Sequence, residues 1–211
     1  MADLPLSLDP PLAARLAAAL DVEGKIPRAL EQLGPVERRD VVLIGGGVAE
    51  TARFAGLGSR VIAMEARGAG TGGAGGGGRW PLRDGSADAI VSAWSAFRGV
   101  DPAELAEADR VLRPCGRLLV VHDYGRDDVS RLRGDLPEYR LWSRRDGPFL
   151  SSGFRIRVVH CFWTFQSVED AQDFLRAAFG ETGQAVGEEL KRPRITYNVA
   201  IYHRSRGEGA A

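Results

Sequence analysis

Residues 40–50 read DVVLIGGGVAE. Four apolar residues run without alternation between an aspartate and three glycines, the pattern of a strand buried on both faces. The glycines open a helical stretch over 48–57 (VAETARFAGL), which closes at Gly58. A second apolar strand follows at 60–65 (RVIAME). The chain therefore makes a strand–helix–strand unit, the building block of a parallel α/β sheet.

The same alternation continues outward. Residues 88–94 (DAIVSAW) and 117–123 (RLLVVHD) have strand character, separated by a helix over 101–112 and a tight turn over 113–116 (RPCG). Upstream, helices are expected at 11–20 and 25–33. Asp9 with Pro10 and Pro11 starts the first, and Gly34 with Pro35 stops the second. Downstream, strands at 155–165 and 195–203 flank a helix at 168–179, and their alternation suits a terminal antiparallel pair. The expected class is α/β, a mostly parallel sheet flanked by helices. One domain is expected over 1–211: a helical cap at 1–36, a core at 40–125, an Arg-rich insertion at 126–153 and a strand–helix–strand unit at 154–205. The core contains residues 68–78, with eight glycines in eleven positions; they read as a flexible loop without the GK[ST] of a phosphate-binding loop.

At 211 residues the chain can bury roughly 70% of its unfolded surface, so it needs no disulfide or metal staple. Lys plus Arg and Asp plus Glu balance at 28 each. That balance opposes a nucleic-acid binder and a polybasic membrane-surface protein, and neither partner is expected. The two cysteines, Cys115 and Cys161, form no framework and no metal-ligand spacing. The N-terminus lacks a basic signal-peptide start, and no apolar run approaches the roughly 20 residues of a membrane span. A cytoplasmic location is the expectation.

Gly45, Gly46 and Gly47 lie where a helix N-terminus presents unpaired N–H groups to a ligand. Glu65 ends the next strand, where a carboxylate accepts the hydroxyl hydrogens of a ribose. A nucleoside-type ligand follows. The dinucleotide pattern GxGxxG fails at Glu50, which would face a pyrophosphate, so a nicotinamide enzyme is disfavoured. Trp94 and Ser95 end a strand on the rim where open α/β sheets place ligands, and Trp94 is a candidate ligand wall as well as a packed aromatic. His122, Asp123 and Tyr124 fall on the same rim, with His122 the candidate general base. His160 reads as a core or interface residue, and neither cysteine has the basic neighbours of an activated thiolate.

In order and spacing, these motifs resemble the class I S-adenosylmethionine-dependent methyltransferases of the type 11-like group. VVLIGGGVAE (41–50) is similar to their first strand and glycine loop, and VIAMEA (61–66) to the second strand with its terminal acid. WPLRDGSADAIVSAWSAF (80–97) resembles the fourth-strand region, and ELAEADRVLRPCGRLLVVHD (104–123) the helix, turn and fifth strand. The resemblance implies a Rossmann-like fold with S-adenosylmethionine held by Gly45, Gly46, Gly47, Glu65 and Trp94. It also implies methyl transfer to a small-molecule or protein acceptor that the sequence does not name.

Three departures stand out. Leu43 occupies the position of an acid two residues before the first glycine, and Ala49 replaces the last glycine of the loop. Only 22 residues separate Glu65 from Asp88, which shortens the fold around its third strand. Gly76 or a neighbour then falls where the family's adenine-binding acid stands. The alternative is a non-catalytic chain of this fold used for binding or assembly. In it HCFWTF (160–165), otherwise core, would belong to a partner or homodimer surface.

Overall fold

The computed structural model describes residues 8–34, 36–65, 79–134 and 136–207; the glycine tract at 68–78 lies outside them. Strands β1 (Asp40–Gly45), β2 (Arg60–Met64), β3 (Ala87–Ala93), β4 (Leu112–Asp123), β5 (Arg155–Thr164) and β6 (Arg194–Ser205) form one sheet in the order β2-β1-β3-β4-β6-β5. β1 runs parallel to β2 and β3, and β3 to β4. β6 runs antiparallel to both β4 and β5. The mostly parallel sheet with a C-terminal antiparallel pair is therefore the architecture found.

The helices are α1 (Pro10–Ala19), α2 (Lys25–Leu33), α3 (Gly47–Gly56), α4 (Pro102–Val111), α5 (Asp128–Arg133), α6 (Pro137–Trp142), α7 (Pro148–Ser151) and α8 (Val168–Glu188). They cover both faces, which is why the inner strands carry unbroken apolar runs such as 41–44 and 118–121. Successive side chains still alternate between faces. Val41, Leu43, Val91, Leu119 and Val121 pack with Leu30 of α2, Phe54 of α3, Val129 of α5 and Phe174 of α8. Val42, Ile44, Ile90, Leu118 and Val120 pack with Val111 of α4, Trp142 of α6 and Phe149 of α7. Asp9 caps α1 as expected, accepting from the Leu12 N–H at 2.8 Å with prolines at the first helical positions.

Three elements differ from the sequence reading. Residues 113–116 do not form a separate turn. They are a bulge within β4, where the pairing jumps from Ala87↔Leu112 to Ala89↔Arg117 and Cys115 adopts φ 66°. The helix expected to end at 179 resumes beyond a break at Gly180 (φ 60°, ψ −136°) and continues to Glu188. The 126–153 stretch holds α5, α6 and α7, and Tyr139, Trp142 and Phe149 are buried against the sheet. Helices of four to six residues carry too few turns for a hydrophobic period, so composition alone made this stretch look irregular. Among the described residues, no helix is long and apolar enough to cross a membrane.

Candidate functional site

Parallel strands end on one rim, and the register lines up the residues singled out from sequence. Ile44 pairs with Met64, so one step further along sets Gly45 beside Glu65, with neighbouring strands about 4.8 Å apart. Gly45 also pairs with Ala93, and Ala93 with Val121. Glu65, Gly45, Ala93 and Val121 thus form a row across four adjacent strand ends, with Trp94 and His122 one residue beyond it. Glu65 is exposed.

Gly45 and Gly46 are both left-handed, with φ of 73° and 81°. Gly46 is the N-cap of α3, and no side chain caps that helix. Its first-turn N–H groups therefore stand where an anion is favoured. At Gly45 the need for glycine also comes from within the protein. A Cβ there would lie 2.5 Å from Ser95 Oγ, 2.6 Å from Ser95 Cβ and 2.8 Å from the Ala93 carbonyl oxygen. Ser95 Oγ donates to the Ile44 carbonyl at 2.8 Å, tying the β3–α4 loop to the end of β1. Leu43, which stands where the family carries an acid, is wholly buried in the core.

The β3–α4 loop is strained. Trp94, Phe97 and Val100 all have positive φ (47°, 61° and 63°), although none is glycine. Such backbone costs about 1–3 kcal/mol per residue and tends to cluster at functional sites. The Ala96 N–H donates to Ser92 Oγ at 3.1 Å and the Phe97 N–H to Glu104 Oε2 at 2.9 Å, holding the loop in this shape.

The centre of the rim is Asp123, which is 1% exposed. Its carboxylate accepts hydrogen bonds from Trp94 Nε1 at 2.9 Å, from the Tyr197 hydroxyl and from Arg133 Nη1. The Asp123–Arg133 pair is buried on both sides. Burial, and next the Asp123 charge, pushes the Tyr197 phenol far above its ordinary range. Burial works against the Arg133 charge, but Asp123 first, then Tyr139 and Tyr197, raises its pKa overall. The guanidinium also lies 5.2 Å from the centre of the Tyr139 ring. Asp127 and Asp128 attach the same insertion to β6. Asp127 accepts from the Asn198 N–H at 2.8 Å, and Asp128 from the Thr196 N–H at 2.9 Å. The insertion therefore caps the β4–β6 end of the rim.

Sequence reasoning placed Asp123 on the rim but missed its partners, which come from the β3–α4 loop, α5 and β6. His122 requires a correction. It lies one residue beyond the rim row, but its ring faces the opposite side of the sheet from Asp123 and has no exposed surface. It packs 4.9 Å from the Trp142 ring and 6.1 Å from the Phe149 ring. A base must reach the proton it removes, and reaching an acceptor here requires α6 to move. Burial raises the pKa of Glu104 nearby, with the Phe97 N–H and His122 opposing that shift. His160 is exposed on the edge strand, not in the core, and its Nδ1 shares a hydrogen bond with Asn198 Oδ1 at 2.8 Å. No group of three or more metal-ligating side chains occurs among the described residues.

Neither a protein-family model nor a curated protein matches the chain. Solved structures do. A protein from Anabaena variabilis, named as a methyltransferase of an antibiotic biosynthesis pathway, is 16% identical over 90% of this chain and 99% of its own, with a TM-score of 0.52. A chain of the complex between the Haloferax volcanii Trm112 methyltransferase activator and a methyltransferase is 16% identical over 92% of this chain and 94% of its own, with a TM-score of 0.51. A protein named as a type II methyltransferase from Anaeromyxobacter dehalogenans is 19% identical over 85% of this chain and 94% of its own, with a TM-score of 0.51. The chain has the Rossmann-like fold of the class I S-adenosylmethionine-dependent methyltransferases. At these identities the likeness establishes the fold alone.

Proposed function

We propose that this chain is an S-adenosylmethionine-dependent methyltransferase. The observation that carries the proposal is the junction of β1, β2 and α3. Two left-handed glycines precede an uncapped helix N-terminus, and the register sets Glu65 beside them. These groups suit the cofactor's chemistry. The first-turn N–H groups of α3 would hold its carboxylate, the Glu65 carboxylate would accept from its ribose hydroxyls, and the Trp94 indole would wall one side. When bound, the cofactor supplies a methyl group on a positively charged sulfur.

The protein's task is then to position and to exclude water. The Asp123 hydrogen bond fixes the Trp94 ring, and the insertion closes the neighbouring part of the rim. Orientation of this kind supplies much of the acceleration in an in-line displacement. His122 lies under Trp142, so the proposal assigns it no proton transfer. General-base removal costs about 10²–10⁴-fold, so His122→Gln should cost less than tenfold in kcat, and a hundredfold loss would restore the base role. The acceptor is a small molecule or a protein side chain.

The test is calorimetric titration of S-adenosylhomocysteine into protein stripped of ligand by unfolding and refolding. One-to-one binding, abolished by Glu65→Ala, supports the proposal, and mass action should raise the thermal midpoint in parallel. No heat and no thermal shift at millimolar ligand overturn it. A second reading, a methyltransferase fold retained as a binding module, draws on buried Leu43 and on the fact that Ser95, the Ala93 carbonyl and the positive φ account for glycine at position 45 without a ligand. That outcome would favour it.

A further inference from the structure

On the far side of the sheet, β5 is the edge strand. The Phe162 carbonyl accepts from the Asp21 N–H at 3.2 Å, and the His160 carbonyl from Lys25 Nζ at 3.0 Å. Both carbonyls therefore point away from β6. In an antiparallel strand the N–H and C=O of one residue share a side, and that side alternates. Val158 must then present its own N–H and C=O outward, and no hydrogen bond reaches its N–H among the described residues. The linker between α1 and α2 covers the edge at 162–163, where Leu20 bridges to Trp163, but not at 157–160.

Beside this open stretch lies a groove of about 360 Å³, with one wall from α2 and the other from β5. Lys25, Arg28, Ala29 and Gln32 recur at helical spacing on the first wall, and Arg157 to His160 form the second. Three cations line it and no carboxylate does. Lys25 pairs with Glu23, Arg28 donates to the Glu23 and Gly24 carbonyls at 2.6 and 3.1 Å, and Arg157 has no carboxylate partner among the described residues.

We propose that this groove binds an extended acidic segment of a partner protein, which adds as a strand to the edge of β5. Unpaired backbone groups on a strand edge are a template for another strand. The arginines decide which one. A second copy of this edge would bring the same arginines to the groove, Arg155 facing Arg157 where the strands pair about Ile156, and like charges facing each other across strands repel. An acidic strand meets them with opposite charge. Lys25 Nζ now occupies the donor position at the His160 carbonyl, where an incoming backbone N–H would sit. The open stretch of four residues spans roughly 10 Å, enough to pair a short segment.

The experiment measures fluorescence anisotropy of a labelled eight-residue peptide of alternating Glu and Thr, with its Lys–Thr counterpart and inorganic phosphate as controls. The acidic peptide should bind saturably and protect the Val158 amide from hydrogen exchange, and the basic one should not bind. Arg28→Glu with Arg157→Glu should weaken binding at least tenfold. Val158→Pro should do the same while keeping every charge, because its N–H faces away from β6 and an edge strand tolerates proline there. Unchanged binding by Val158→Pro would reduce the interaction to charge attraction and overturn strand addition. Displacement by millimolar phosphate would mark a small-anion site and also overturn it. So would absence of binding at millimolar peptide, or a mass that doubles with protein concentration and so reveals a second copy at this edge.

Discussion

Gly45→Ala is the sharpest perturbation of the rim. The new Cβ would sit 2.5–2.8 Å from Ser95 Oγ, Ser95 Cβ and the Ala93 carbonyl oxygen, on a backbone with φ of 73°. The left-handed conformation costs a residue with a Cβ about 1–2 kcal/mol. Overpacking against a fixed neighbour adds about 1–3 kcal/mol. The loss should therefore be roughly 2–5 kcal/mol, a large part of the roughly 5–15 kcal/mol that holds a domain folded. Urea denaturation without ligand reads it directly, as a fall in midpoint of about 1 M or more at unchanged slope. Ser95→Gly in the same chain removes two of the three close contacts but leaves the backbone strain. The pair should thus couple by about 1 kcal/mol or more instead of adding. A loss below 1 kcal/mol for Gly45→Ala, or strict additivity with Ser95→Gly, would refute the argument that the β3–α4 loop dictates this glycine.

Asp123→Ala removes one partner of a buried ion pair and the acceptor for Tyr197 and Trp94, so about 3–5 kcal/mol should be lost in urea denaturation. Trp94 fluorescence should also shift as the indole loses its anchor. Acid should erode another cluster. Asp40 is held down to about 2, first by the Arg60 hydrogen bond and also by Arg113. A carboxylate depressed on folding stabilises the native state above its unfolded value near 4 and loses that contribution as pH falls toward 2. Asp40→Asn should flatten the decline in thermal midpoint across pH 4 to 2, with no matching change at pH 7.

The inner strands were legible because a sheet covered on both faces demands unbroken apolar runs, and VVLI at 41–44 and LLVV at 118–121 supply them. Gly45, Glu65 and Trp94 were legible as strand ends, and the register brings them to one rim, with Trp94 one residue beyond the row of the other two. Asp123 was seen only as a neighbour of His122. Its partners at 94, 133 and 197 meet it only once the sheet is assembled, and Arg133 sits among many arginines that look alike in sequence. Burial of His122 was hidden for the same reason, since Trp142 and Phe149 reach it from helices too short to show a period. The core reading of His160 failed because an apolar flanking sequence cannot tell an edge strand from an inner one.

The position of β6 bears on how the chain is made. β6 separates β4 from β5, yet it is the last of the strands to leave the ribosome. Until it emerges, the edge of β4 lacks its neighbour and β5 has no strand to pair with along its length. At about 5–20 residues per second, the stretch between the end of β5 and the end of β6 takes roughly 2–8 s to synthesise. Through that interval the nascent protein carries an apolar strand edge that other growing chains can pair with. Translation speed over residues 165–205, and holdases that shield that edge, should therefore bear on the yield of native protein.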